Sequence, residues 1–221
     1  MRIDLLDHGY VELMSHTPDG DLLVVNAARC SFDKEHKNFD KERDTGLVRF
    51  LAREGHVLPF RHVNTTLRIH APIYVLRQLG KHQVGFSWSE VSRRYITGDP
   101  EFHIPTLRKK AKNVKQGSST ESISAGSIYE SLMSDAYSAC MTLYKRLLEK
   151  DVAPEQARMV LPQAMYTTTV TTGTLLGWHH MHTLRTEEHT QRETQEYAKA
   201  IGTIMSQLYP VSWEALCFET D

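Results

Sequence analysis

Residues Val63–Leu79, VNTTLRIHAPIYVLRQL, change hydrophobic period in mid-stretch. From Val63 to His70 the residues alternate, with Val63, Thr65, Leu67 and Ile69 on one face and Asn64, Thr66, Arg68 and His70 on the other. Period two puts successive side chains on opposite faces of a strand, so this is a half-buried strand with an unusually polar second face. Pro72 ends it and suits the first turn of a helix, where it needs no backbone donor. Ile73, Leu76 and Leu79 then supply a helical stripe that runs out near Gly80. A strand feeding straight into a helix points to a mixed chain.

Both signals recur on either side. Ile3 and Leu5, then Val11 and Leu13, flank His8-Gly9 and predict two short strands and a turn. Asp40–Glu54 places Leu47, Phe50 and Leu51 at helical spacing, with Gly55 as the stop. Ile128–Lys150 is the clearest helix, with Ile128, Leu132, Ala136, Ala139, Leu143 and Leu147 on one stripe. Further helices are predicted from near Pro154, from near Leu175, and from Arg192 to Leu208, where Tyr197, Ile201, Ile204 and Leu208 align. Strands in front of long helices predict a single α+β domain over residues 1–221. The stretch at about 106–127, basic and then serine-rich, lacks large apolar residues and is expected to be a mobile surface loop without chemistry.

The 221 residues carry 26 Lys plus Arg and 27 Asp plus Glu, a net charge of −1, so no bulk field favours nucleic acid and any anion site is local. Cys30, Cys140 and Cys217 are odd in number, show no C-x-x-C spacing and follow no signal segment, which predicts a reducing cytoplasm. Apolar runs fall short of the roughly 20 residues that span a bilayer, so a membrane role is not expected.

Chemistry concentrates in KHQVGFSWSEVSRRY, Lys81–Tyr95. Val84, Phe86, Trp88 and Val91 would anchor an extended backbone that holds polar groups over a pocket. Ser92-Arg93-Arg94 offers a hydroxyl, backbone N–H groups and two guanidiniums, a set suited to a phosphate ester, and Glu90 could accept from a sugar or base. The competing interpretation is surface ion pairs and a helix cap. Arg158, in ARMVLP, and Arg185, in TLRTEEH, are the distant candidates; for Arg185 the alternative is an ion pair with Glu187 or Glu188. His179, His180, His182 and His189 raise a metal site, but the first three point in different directions on a helix and no H-E-x-x-H spacing occurs, so no metal is expected. Neither phosphate-loop nor dinucleotide glycine motifs are present.

The motif K81-H82-Q83 followed by S89-E90-V91-S92-R93-R94-Y95 resembles the signature of the flavin-dependent thymidylate synthases, roughly R-H-R and then N-E-x-S-x-R-Y. It departs from that signature at Lys81, Gln83 and Ser89. MRIDLLDHGYVELM, NAARCSFD, EGHVLPFRH, HAPIYVLRQ, EFHIP, ARMVLP and the terminal helices resemble the family in the expected order.

The resemblance implies an antiparallel sheet with long helices and a homotetramer with shared active sites. The reaction it implies is the methylation of deoxyuridylate, with methylenetetrahydrofolate as one-carbon donor and FAD, reduced by NADPH, as hydride source. Carried over position by position, Gln78, Lys81, Glu90, Ser92, Arg93, Arg94, Arg158 and Arg185 face the nucleotide. Ser92 and Arg94 lie near its phosphate, and Arg185 activates the uracil. His56, Lys81, His82, Gln83, Glu90, Thr174 and His180 face the flavin, with Thr174-Leu175-Leu176 standing where the family has N-A-R. Two alternatives are an inert flavin or nucleotide binder and a metal-dependent nucleotide hydrolase.

Overall fold

The computed structural model describes residues 1–112, 117–123 and 128–218. Lys115 and residues 124–126, parts of the basic and serine-rich stretch, lie outside the described residues. The front of the chain forms strands β1 (Arg2–Leu5) and β2 (Gly9–His16), helices α1 (Gly20–Arg29) and α2 (Arg43–Arg53), strand β3 (Asn64–Pro72), helix α3 (Ile73–Leu79) and strand β4 (Phe86–Glu90). A small hairpin of β5 (Arg108–Lys110) and β6 (Ser118–Ser122) follows. The back holds α4 (Ile128–Glu149), the single turn α5 (Pro154–Ala157), strand β7 (Tyr166–Thr174), α6 (Leu175–Thr186), α7 (Arg192–Leu208) and α8 (Pro210–Phe218).

The main sheet is antiparallel throughout, in the order β1-β2-β3-β7-β4. The alternation of β3 holds: Leu67, Ile69 and Ala71 are fully buried and join α1, α2, α3, α6, α7 and α8 in one apolar cluster. Burying each Leu or Ile contributes about 1.5–3 kcal/mol, which fixes the face that turns inward. The polar face is satisfied within the sheet, by Thr66 to Thr172 at 2.9 Å, Arg68 to Glu12 at 3.0 Å and His70 to Thr168 at 2.8 Å. Pro72 ends β3 and caps α3, and Gly55, at φ 69°, stops α2 in a left-handed conformation that glycine adopts without cost.

Three expectations change. Strand β7 was not anticipated in a back half read as mostly helical, yet it lies between β3 and β4 and completes the sheet. Helix α4 matches its expected span, but its stripe does not enter the core: Ile128, Leu132 and Leu143 are 69%, 54% and 48% exposed, and Tyr144 is the only residue of α4 that the protomer buries. The stretch expected as a loop carries the β5–β6 hairpin, pinned by Arg108, which donates to Glu193 on α7 at 2.7 Å. Among the described residues no helix is long and apolar enough to cross a membrane.

Candidate functional site

Lys81–Tyr95 is a turn, a strand and a loop. Gly85, at φ 78°, turns the chain into β4, and its carbonyl accepts from the Thr174 backbone N–H at 2.9 Å. Phe86 then pairs with Gly173 across the ladder, and a Cβ on Gly173 would stand 2.4 Å from the Phe86 ring, so β7 needs glycine there. Thr174 itself caps α6, accepting from the Gly177 N–H at 3.0 Å. The apolar residues of the stretch thus serve to seat an edge strand, and the polar ones emerge beyond it.

Where β4, β7 and α3 meet lies an open cavity of about 700 Å³. Glu90, Arg93, Arg158 and Gln83, four of the expected site residues, line it, as do Thr167 and Thr169 of β7. Arg77 also reaches this cavity and was missed from sequence. It follows Ile73 by four residues and so shares the helix face that lines the space, a signal that was available. Among the described residues Arg77, Arg93 and Arg158 make no ion pair, and Glu90 is the only carboxylate in the wall. Three guanidiniums against one carboxylate leave an excess of fixed positive charge suited to a bound anion.

Gln78 and Arg185 sit elsewhere, in a second cavity of about 580 Å³ that they share with Arg108, His189 and Gln191. Gln78 donates to Gln191 at 2.7 Å. Arg185, in the last turn of α6, donates through Nε to Nε2 of His82 at 3.1 Å and makes no ion pair with Glu187 or Glu188. That bond needs a neutral imidazole with its lone pair on Nε2. Burial, and then the Arg185 charge, push the His82 pKa down and keep it so. The arrangement holds a permanent donor on a packed helix beside a neutral histidine.

Ser92 and Arg94 touch each other, with Ser92 Oγ accepting from the Arg94 backbone N–H at 3.3 Å, and they lie outside the walls of both cavities. Lys81, His56 and His180 are exposed, with His56 edge-on to Phe50 at 5.9 Å and His180 beside His179 at 5.8 Å. One ammonium and two accessible imidazoles are donor types that suit a diphosphate or the polar edge of a ring. Among the described residues no group of three His, Cys, Asp or Glu stands close enough to hold a metal; His179 and His182 turn toward Trp213 instead.

The family model described as thymidylate synthase complementing protein matches residues 12–211. Proteins named flavin-dependent thymidylate synthase are similar almost end to end. That of Thermotoga neapolitana is 37% identical over 216 residues, covering 97% of this chain and 94% of its own. The one from Pseudothermotoga lettingae is 33% identical over 215 residues, with 97% and 93% covered. Among solved structures, the UMP/dUMP methylase PolB of Streptomyces cacaoi bound with 5-Br dUMP superposes with a TM-score of 0.83 at 30% identity, over 97% of each chain. Its complex with 5-Br UMP gives 0.79 at 30% identity, over 97% of this chain and 96% of the other.

Proposed function

Because the chain belongs to the flavin-dependent thymidylate synthases, we infer that it methylates deoxyuridylate at C5 to give thymidylate, with methylenetetrahydrofolate as the one-carbon donor. The observation that carries this beyond family membership is the cavity whose wall presents Arg77 and Arg158, neither of them in an ion pair among the described residues, which suits a nucleotide phosphate. FAD, when bound, supplies the hydride, and NADPH is the reductant proposed for it. His56, Lys81, His82, Gln83, Glu90, Thr174 and His180 are the residues proposed to hold the flavin.

On the nucleotide, Glu90, Arg158, Ser92 and Arg94 take the phosphate and sugar, while Gln78 and Arg185 take the base. Arg185 stays protonated and donates. Negative charge that develops across N3, C4 and O4 of the uracil is stabilised by a guanidinium already fixed in place, with no reorganisation at the moment of reaction.

Glu90 and Arg158 line one cavity of the protomer, Gln78 and Arg185 another, and Ser92 and Arg94 neither, which supports a site completed between protomers. The exposed apolar stripe of α4 supplies a surface for such contacts, and we propose a homotetramer. Cys30, Cys140 and Cys217 form no disulfide, which supports a reducing cytoplasm.

A second reading, acceptance of UMP as well, is favoured by the likeness to PolB, named for both nucleotides. One assay tests both. The purified flavoprotein is reduced with NADPH, then given methylenetetrahydrofolate with dUMP or with UMP, and the visible spectrum and products are followed. Thymidylate with return of the oxidised flavin bands is expected. Bleaching with neither nucleotide methylated would reduce the protein to an inert flavin binder.

A further inference from the structure

Arg93 is one of the residues that the family resemblance turns toward the nucleotide, and its surroundings point to another task. It is 8% exposed. One terminal nitrogen donates to the Gly98 carbonyl and, at 3.4 Å, to the Tyr144 hydroxyl, and the guanidinium carbon lies 5.3 Å from the centre of the Tyr144 ring. Its Nε is sealed from solvent without a partner, so that donor does not reach a ligand in the cavity.

A guanidinium buried without a carboxylate is costly, and one that persists is held by what surrounds it. Here the carbonyl contact closes the Ser92–Gly98 loop on itself, and the stacked ring joins that loop to α4. A second tie runs alongside, from Lys145 Nζ on α4 to Asp99 at 2.6 Å. The loop that carries Ser92 and Arg94 is therefore docked on α4 from within, through a residue at the cavity wall whose observed hydrogen bonds all go to the protein.

We propose that Arg93 is a positioning residue, which fastens the Ser92–Arg94 loop to Tyr144 and so sets the affinity for the substrate's phosphate without touching it. This rests on the nucleotide reading above. A positioning residue acts through its anchor, so removing either end of the tie has one and the same consequence, and removing both adds nothing.

The test is a double-mutant cycle on the flavin-loaded enzyme, with Arg93→Met, Tyr144→Leu and the pair, titrated with dUMP and with deoxyuridine, and with flavin content and thermal unfolding checked. Each single change is expected to weaken dUMP about tenfold and deoxyuridine far less, as for loss of a charge-assisted contact at the phosphate alone. The double variant is expected to be no weaker than the worse single. If a deletion does not fold, Arg93→Lys and Tyr144→Phe are read by the same rule of non-additivity.

Weakening by Arg93→Met with none by Tyr144→Leu would make Arg93 a direct ligand and overturn the inference. So would multiplicative effects, equal loss of both ligands, or no loss of either. Wild-type enzyme that binds neither dUMP nor UMP would instead bring down the nucleotide reading, and this inference with it.

Discussion

His179 gives a quantitative test of the packing between α6 and α8. It is 6% exposed, stands edge-on to Trp213 at 6.0 Å and contacts the Thr183 hydroxyl at 3.3 Å. Burial, and then the neighbouring His180 and His182, push its pKa down to about 4, while the backbone at Leu216 opposes this. The unfolded chain keeps the ordinary value near 6.5 and so takes up the proton first. A depressed pKa in the folded state means that its contribution is present above about 6.5 and is lost as the pH falls toward 4. Full titration of that gap corresponds to about 3 kcal/mol, and by pH 5 about 2 kcal/mol of it is gone.

The perturbation is His179→Gln, which keeps a polar side chain and removes the titration. Urea unfolding of both proteins, at pH 7.5 and pH 5 and at equal protein concentration, gives a double difference in which the other groups and any assembly largely cancel. The wild type is expected to lose about 2 kcal/mol more than the variant on going to pH 5. Equal losses would show that His179 is hydrated or already charged in the folded protein, and the argument from its burial would fail.

Arg185→Ala should leave flavin bound and reducible by NADPH while thymidylate formation falls by about two orders of magnitude or more, as for an oxyanion donor; near-parental turnover would move that duty to another residue. Arg158→Ala should weaken dUMP about tenfold more than deoxyuridine, being a charge-assisted contact to phosphate; equal weakening would remove Arg158 from the phosphate. Gly173→Ala would drive a methyl into Phe86 and Trp178, at 2.4 and 2.8 Å, and should cost about 1–3 kcal/mol of overpacking; an unchanged denaturation midpoint would mean that β4 shifts freely. Leu132→Glu together with Leu143→Glu should lower the mass measured by light scattering if the α4 stripe joins protomers, and an unchanged mass would place the interface elsewhere.

What could be read from sequence, and what could not, has physical reasons. In β3 the core face carries Leu67 and Ile69 and the other face charge, so a period of two is plain. In β7 the buried positions are Tyr166, Thr167, Thr169, Thr171 and Gly173 and the half-buried ones include Thr168 and Thr172, so both faces bear hydroxyls and the alternation of apolar with polar residues vanishes. The run of β-branched residues was the remaining clue to a strand. The stripe on α4 was legible as apolar, but a sequence does not say whether such a stripe meets its own core or another chain. Arg158 and Glu90 were found from their motifs, and the structure brings them to one cavity. The bond from Arg185 to His82 spans more than a hundred positions of chain and no local pattern announces it.

The place of β7 also bears on how the chain reaches its native state. Strands β1, β2 and β3 pair in sequence order and can assemble as they emerge, but the free edge of β3 must wait for β7 while residues 73–165 are synthesised. Until then a long row of backbone donors and acceptors stands open, which is the template on which strands of different chains pair wrongly. Closing the sheet requires contacts of high sequence separation and is slow for that reason. The threonines of β7 blunt the hazard, since a strand with hydroxyls on both faces is soluble while it waits. The yield of folded enzyme should therefore depend on temperature and chaperones during synthesis more than the stability of the finished protein would suggest.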